Sequence, residues 1–140
     1  MRDEESVRQF WVVQLLEKGF PHHLISLEGR CSTCSAPLSG PSEEFVMRAS
    51  TLRRYDILCY GIPPWGGVVP LLLLECKREG RSSSHEVERS LSQVEGYRTR
   101  LGVPFWGIVI GRRIALMRGN DSVPLEHLPA YHQCLQAAYP

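Results

Sequence analysis

The sequence predicts a single α/β domain in which a mixed central sheet is flanked by helices, on three observations. Residues 71–74 are four consecutive leucines, so a strand there is covered on both faces, as a central strand of an α/β sheet is. A helical pattern over about 84–101 separates this run from a second apolar run, Phe105-Trp-Gly-Ile-Val-Ile. Strand, crossover helix and strand make a right-handed βαβ unit with parallel pairing. The turn formers of Gly61-Ile-Pro-Pro-Trp-Gly-Gly join the leucine strand to a preceding strand at about 54–60, which predicts an antiparallel pair.

The elements follow in order. An N-terminal helix is expected over 4–18: Asp3 is a candidate N-cap, acids fill the first turn, Lys18 lies in the last, and Gly19 and Pro21 stop it. Val7, Phe10, Trp11 and Leu15 recur at helical spacing and are expected in the core. Residues 25–29 alternate as a first strand would. Ser, Pro, Gly and Cys then crowd the chain, and 31–53 reads as an exposed excursion. In the second strand Tyr55, Ile57, Leu58 and Cys59 flank one carboxylate, Asp56.

The leucine strand ends in Glu75-Cys76-Lys77, and residues two apart in a strand share a face, so Glu75 and Lys77 emerge on the same side. In the crossover helix Val87, Leu91, Val94 and Leu101 mark the buried stripe, with Gln93 and Tyr97 four apart on an adjoining face. A short strand over 114–118 and a helix over 131–138 complete an αβββαβ order with peripheral additions. The core spans about 4–118 of a single domain, 1–140, with 119–140 peripheral.

A chain of 140 residues suffices for one domain with a hydrophobic core and is short for two. Hydrophobic residues at 43% and charged residues at 22% exclude a disordered chain. No apolar run approaches the ~20 residues that span a bilayer. The N-terminus, Met1-Arg-Asp-Glu-Glu, opens an amphipathic segment rather than a signal peptide, so a cytoplasmic location is expected. Five cysteines, an odd number, do not make a secreted disulfide framework. The net charge of +1 conceals a basic middle, with 12 Lys/Arg against 6 Asp/Glu over 48–118, which suits a polyanion bound near the centre of the fold.

Two carboxylates on paired strands, Asp56 and Glu75, can converge at one edge of the sheet. Hard oxygen ligands in a cleft hold Mg²⁺, at about 2.0–2.1 Å with several waters retained. A lysine beside them, Lys77, orients an attacking water and stabilises a phosphorane-like transition state. The chemistry implied is metal-assisted phosphodiester hydrolysis.

Asp56 followed by Glu75-Cys76-Lys77 resembles the D…ExK signature of the PD-(D/E)XK nuclease superfamily, and Gln93-Val-Glu-Gly-Tyr97 resembles the QxxxY motif of its RecB-like branch. Val7-Arg-Gln, Leu24-Ile-Ser-Leu-Glu, Arg54-Tyr-Asp-Ile-Leu-Cys-Tyr and the Leu-Gly-Val-Pro after the crossover helix extend the similarity to the N-terminal nuclease domain of type I restriction enzyme R subunits, over about 4–118. The resemblance implies a restriction-endonuclease-like αβββαβ fold and a Mg²⁺- or Mn²⁺-dependent endonuclease acting on DNA. It implies Asp56, Glu75 and the backbone carbonyl of Cys76 as metal ligands, and Lys77 as the residue that positions the water. Gln93 and Tyr97 would support the site or contact the nucleic-acid backbone, and Glu5, or its neighbour Glu4, would be the first-helix glutamate of many relatives. Arg54, Arg78, Arg81 and Arg98 are candidate phosphate contacts, as are Arg53, Lys77, Arg100, Arg112 and Arg113, although a lone surface cation is more often simply solvated.

The sequence also departs from that pattern. Tyr55 stands where the superfamily places a proline, and 31–53 is longer than expected. No GxxxxGK[ST] loop occurs, so the chain is at most a cleaving module without an ATP motor, acting alone, as a dimer, or with a restriction or repair partner subunit. A second class of function is a nuclease-fold module that holds DNA or a protein without cutting. A third is a zinc-stabilised interaction domain. Cys31-Ser-Thr-Cys34 is half a zinc site, but no second C-x-x-C or paired His follows at zinc-finger spacing, and two loop cysteines are the simpler account.

Overall fold

The computed structural model describes residues 4–27, 55–78, 88–89, 91–92, 94–96, 102–119 and 124–140. Among these, α1 is Glu4–Glu17, β1 Ile25–Leu27, β2 Ile57–Gly61, β3 Val69–Lys77, β4 Phe105–Ile110 and β5 Arg113–Arg118. The crossover helix α2 is helical at 88–89, 91–92 and 94–96, and α3 is Tyr131–Ala138. The fold is α/β, with a mixed five-stranded sheet in the order β1-β2-β3-β4-β5, flanked by these helices. Pairing is antiparallel throughout except between β3 and β4, which are parallel, as a βαβ crossover requires.

The leucine run is buried as its composition predicts: Leu71, Leu72 and Leu74 are 0% exposed and Leu73 1%. Leu72, Leu74 and Cys76 pack with Val7, Trp11 and Leu15 of α1 in one cluster, while Leu73 packs with Leu58, Trp106 and Val94 of α2 on the opposite face. A strand with helices on both faces has no polar side, which is why no alternation appears in it. β3 begins two residues before the leucines and includes Pro70. The β2–β3 register shifts between Cys59 and Tyr60, where Pro70 pairs, and such an irregularity accommodates a residue that cannot donate to the ladder.

Helix α1 ends where its glycine allows. Gly19 adopts φ +88, while its N–H donates to Leu16 O at 3.1 Å and that of Phe20 to Leu15 O at 3.0 Å, a Schellman stop. Phe10, expected in the core with its neighbours, is only partly buried and lies under the Arg112 guanidinium, 5.4 Å from the ring centre. At the N-terminus of α3, Gln133 Oε1 accepts the Ala130 N–H at 3.0 Å. Gly107 lets β4 and β5 approach, since a Cβ there would lie 2.2 Å from Ala115 O. Among the described residues no helix is long and apolar enough to cross a membrane.

Besides α1 ending at Glu17 rather than 18, β2 ending at Gly61 rather than 60 and β3 starting at Val69 rather than 71, two boundaries differ from the sequence expectation. β2 starts at Ile57 rather than 54, so Asp56 sits just outside the strand, and β5 starts at Arg113 rather than 114. Both shifts fall where a charged residue meets a turn, and periodicity carries no signal there. The excursion 31–53 lies outside the described residues.

Candidate functional site

The antiparallel register pairs Ile57 with Leu74, and one step back along it sets Asp56 opposite Glu75. Because β2 has not begun at Asp56, its side chain takes the place of a strand: Asp56 Oδ2 accepts the Cys76 N–H at 2.7 Å. Lys77 Nζ stands 3.6 Å from Glu75 Oε1, confirming that the two share a face, while Cys76 between them is buried against α1. Asp56, Glu75 and Lys77 are thus brought together where β3 leaves the core, and all three are partly buried.

Burial pushes the Asp56 carboxyl above its ordinary range; the Cys76 N–H pulls the other way, Glu4 adds to the rise, and Lys77 and Arg8 oppose it. Burial likewise raises Glu75, against Lys77 and with the charges of Asp56 and Glu4. Glu4, Asp56 and Glu75 therefore form a mutually repelling set of acids with Lys77 as the near cation.

Of the two first-helix acids, Glu4 is the one whose charge reaches both carboxylates. Glu5 is exposed, pairs with Arg8 and accepts from Gln9 Nε2 at 3.1 Å. The helical pattern contains this distinction, because positions 4, 7, 11 and 15 form one stripe, and Val7, Trp11 and Leu15 are its buried members. Arg8, whose side chain is only 14% exposed, was not singled out from the sequence, although it lies one turn after Glu4. Arg78 follows the strand and is partly buried. Gln93, Tyr97, Arg53, Arg54, Arg81, Arg98 and Arg100, and the Cys31/Cys34 pair, lie outside the described residues.

The described thiols offer no nucleophile. Cys59, Cys76 and Cys134 are buried and unbridged, and burial pushes all three upward, Cys134 to about 12. Among the described residues no group of three His, Cys, Asp or Glu could hold a metal, so a cation here would rest on two carboxylates and backbone oxygen. No family model, curated protein or solved structure matches the chain.

Proposed function

We propose that this chain is a metal-dependent deoxyribonuclease, a restriction-endonuclease-like cleavage module that hydrolyses DNA phosphodiester bonds and has no ATP motor of its own. The observation that carries it is the convergence of Asp56, Glu75 and Lys77 at one strand end. Asp56 and Glu75, with the carbonyl of Cys76, would hold Mg²⁺ or Mn²⁺. The donor set fits, because it is all oxygen and because both carboxyls carry raised proton affinity in a partly buried acidic cluster. When bound, the ion supplies Lewis-acid polarisation of the phosphate and a more acidic water.

The chain's own groups do the rest. Cys76 N–H fixes the Asp56 carboxylate, and Glu75 fixes the Lys77 ammonium. Lys77 orients the attacking water and stabilises the charge that grows on the phosphoryl oxygens. Water adds across the phosphodiester, a phosphorus–oxygen ester bond breaks, and a phosphate monoester and an alcohol leave. Glu4 takes the first-helix position that the resemblance assigns to Glu5 or its neighbour. DNA is the partner proposed, with Arg78 beside the site to meet its backbone.

The test is cleavage of plasmid and linear DNA in Mg²⁺, Mn²⁺ or EDTA, beside Lys77→Ala and Asp56→Ala. Metal-dependent cleavage lost in both variants is expected, and cleavage that survives both sinks the assignment. The two-carboxylate donor set gives a second reading some support, a nuclease-fold module that holds DNA or a protein without cutting. Calorimetric titration with Mg²⁺ and Mn²⁺, with and without DNA, separates the two, since the silent module takes up no metal.

A further inference from the structure

The site row continues across the sheet. Glu75 pairs with Ile108, which pairs with Ala115; Lys77 pairs with Ile110, which pairs with Arg113. Directly paired residues share a face, so these six side chains lie on one surface. Leu125 pairs with Leu116 at the free edge of β5, which sets Glu126 opposite Ala115 on that same surface. There Ile108, Ile110 and Ala115, with Arg112, Arg113, Pro124 and Glu126, line a groove of about 410 Å³ that also touches Ile114, a residue of the α1-facing cluster. That is the scale of one small ligand, pockets for which run about 300–1,000 Å³, and not of a helix or a duplex.

The basic side of the groove is held in place. Gly111 N–H donates to Lys77 O at 3.2 Å, and Trp11 Nε1 donates to Gly111 O at 2.8 Å, so the turn before Arg112 is tied to both the site strand and α1. Arg112 also rests on Phe10. A guanidinium held by a cation–π contact still has N–H donors to offer a phosphate. By strand spacing, Arg113 lies roughly 10 Å from Lys77, two strands along the same row.

We infer that this groove is a subsite for one unpaired nucleotide next to the bond that is cut, with Arg112 and Arg113 holding its phosphate, Ile110 contacting its base, and Glu126 selecting guanine. Charge complementarity fixes the occupant as an anion with an apolar body. A carboxylate accepts hydrogen bonds and donates none. Guanine is the base whose pairing edge offers two adjacent donors, N1–H and the 2-amino group, whereas thymine sets carbonyls on either side of its one donor. The identity of the bound strand rests on the nuclease function proposed above.

Binding is measured in EDTA by fluorescence anisotropy, with a labelled single strand of eight dT and the same strand carrying one central dG. The wild-type protein binds the dG strand about tenfold more tightly. Arg113→Ala weakens both strands about tenfold, Arg113→Lys restores part of the loss, and Arg89→Ala on α2 changes neither. Glu126→Gln removes the preference for dG. Arg113 and Glu126 are exposed, so these variants keep the fold, which circular dichroism verifies. Unchanged affinity in the Arg112→Ala/Arg113→Ala double variant, or a dG preference that survives Glu126→Gln, overturns the subsite. The two proposals fail separately: binding as expected without cleavage in Mg²⁺ or Mn²⁺ upholds the subsite and removes the nuclease, and cleavage unaffected by the double variant does the reverse.

Discussion

The Cys76 N–H donates to Asp56 Oδ2 across 2.7 Å, tying the residue just ahead of β2 to the one between Glu75 and Lys77. One bond therefore does two things: it satisfies a β3 N–H on the side where β2 has not begun, and it fixes one oxygen of the Asp56 carboxylate.

Asp56→Asn and Asp56→Ala then part company. The amide keeps an acceptor for Cys76 N–H, whereas alanine leaves that donor unpaired, at a cost of about 1–3 kcal/mol. Urea denaturation of both variants should show Asp56→Ala clearly less stable than Asp56→Asn, which is at least as stable as the wild type at pH 7, with DNA cleavage abolished in both. Equal stability of the two would remove the structural role of the bond.

Lys77 is expected to act on the rate more than on binding. Removing one positioned donor from a developing anion lowers turnover about 10²–10³-fold. Lys77→Ala should therefore retain DNA binding within a few-fold while single-turnover cleavage falls by that factor; a loss confined to affinity would make Lys77 a mere phosphate contact.

The carboxyls give a pH signature with a definite sign. Burial raises Asp56 above 3.8 and Glu75 above 4.5, so the native state holds these protons more tightly than the unfolded chain does. Their contribution to stability is complete below the unfolded values and is lost as pH rises through the raised native ones. Glu75→Gln, which removes the charge and keeps the shape, should raise Tm at pH 7 and leave it unchanged near pH 3. Cleavage runs the opposite way, since metal binding needs both groups ionised, and it should fall on acidification before an ordinary carboxylate would titrate.

Divalent metal should stabilise the fold under the same control. A ligand at 100 times its Kd adds about 2.7 kcal/mol. Mg²⁺ or Mn²⁺ should raise Tm at pH 8 and lose that effect at pH 4, and neither should act on Asp56→Asn. A metal-induced rise in Asp56→Asn equal to that of the wild type would place the ion elsewhere.

Gly107→Ala tests the sheet rather than the site. Its Cβ would meet Ala115 O at 2.2 Å, a backbone atom of the adjoining strand that cannot swing aside. The expected loss is about 3 kcal/mol, at the upper end of overpacking, read from the urea midpoint.

The residues that reveal most of the fold are those whose signal is local. Four leucines in a row, the turn formers of 61–67 and the apolar stretch Phe105–Ile110 are consecutive, and burial acts on each stretch as a whole. Asp56, Glu75 and Lys77 were legible for a related reason: register follows once an antiparallel pair is joined by a short turn. Phe10 misled because helical spacing marks a stripe and not its margins, and the margin here is covered by an arginine from a turn far along the chain.

The sequence by itself determined the helices and strands, the one parallel pairing, and the two carboxylates and lysine at a strand end. Only the tertiary structure decided that Glu4 rather than Glu5 bears on those carboxylates, and that Oδ2 of Asp56 is engaged by Cys76 N–H. It also decided that Trp11 and Lys77 hold the β4–β5 turn, so that the site row opens into a groove with Arg113 and Glu126. The reason is range. Periodicity and turn chemistry are properties of neighbours in the chain, whereas these contacts join residues up to 100 positions apart and exist only once packing has fixed the distances between elements.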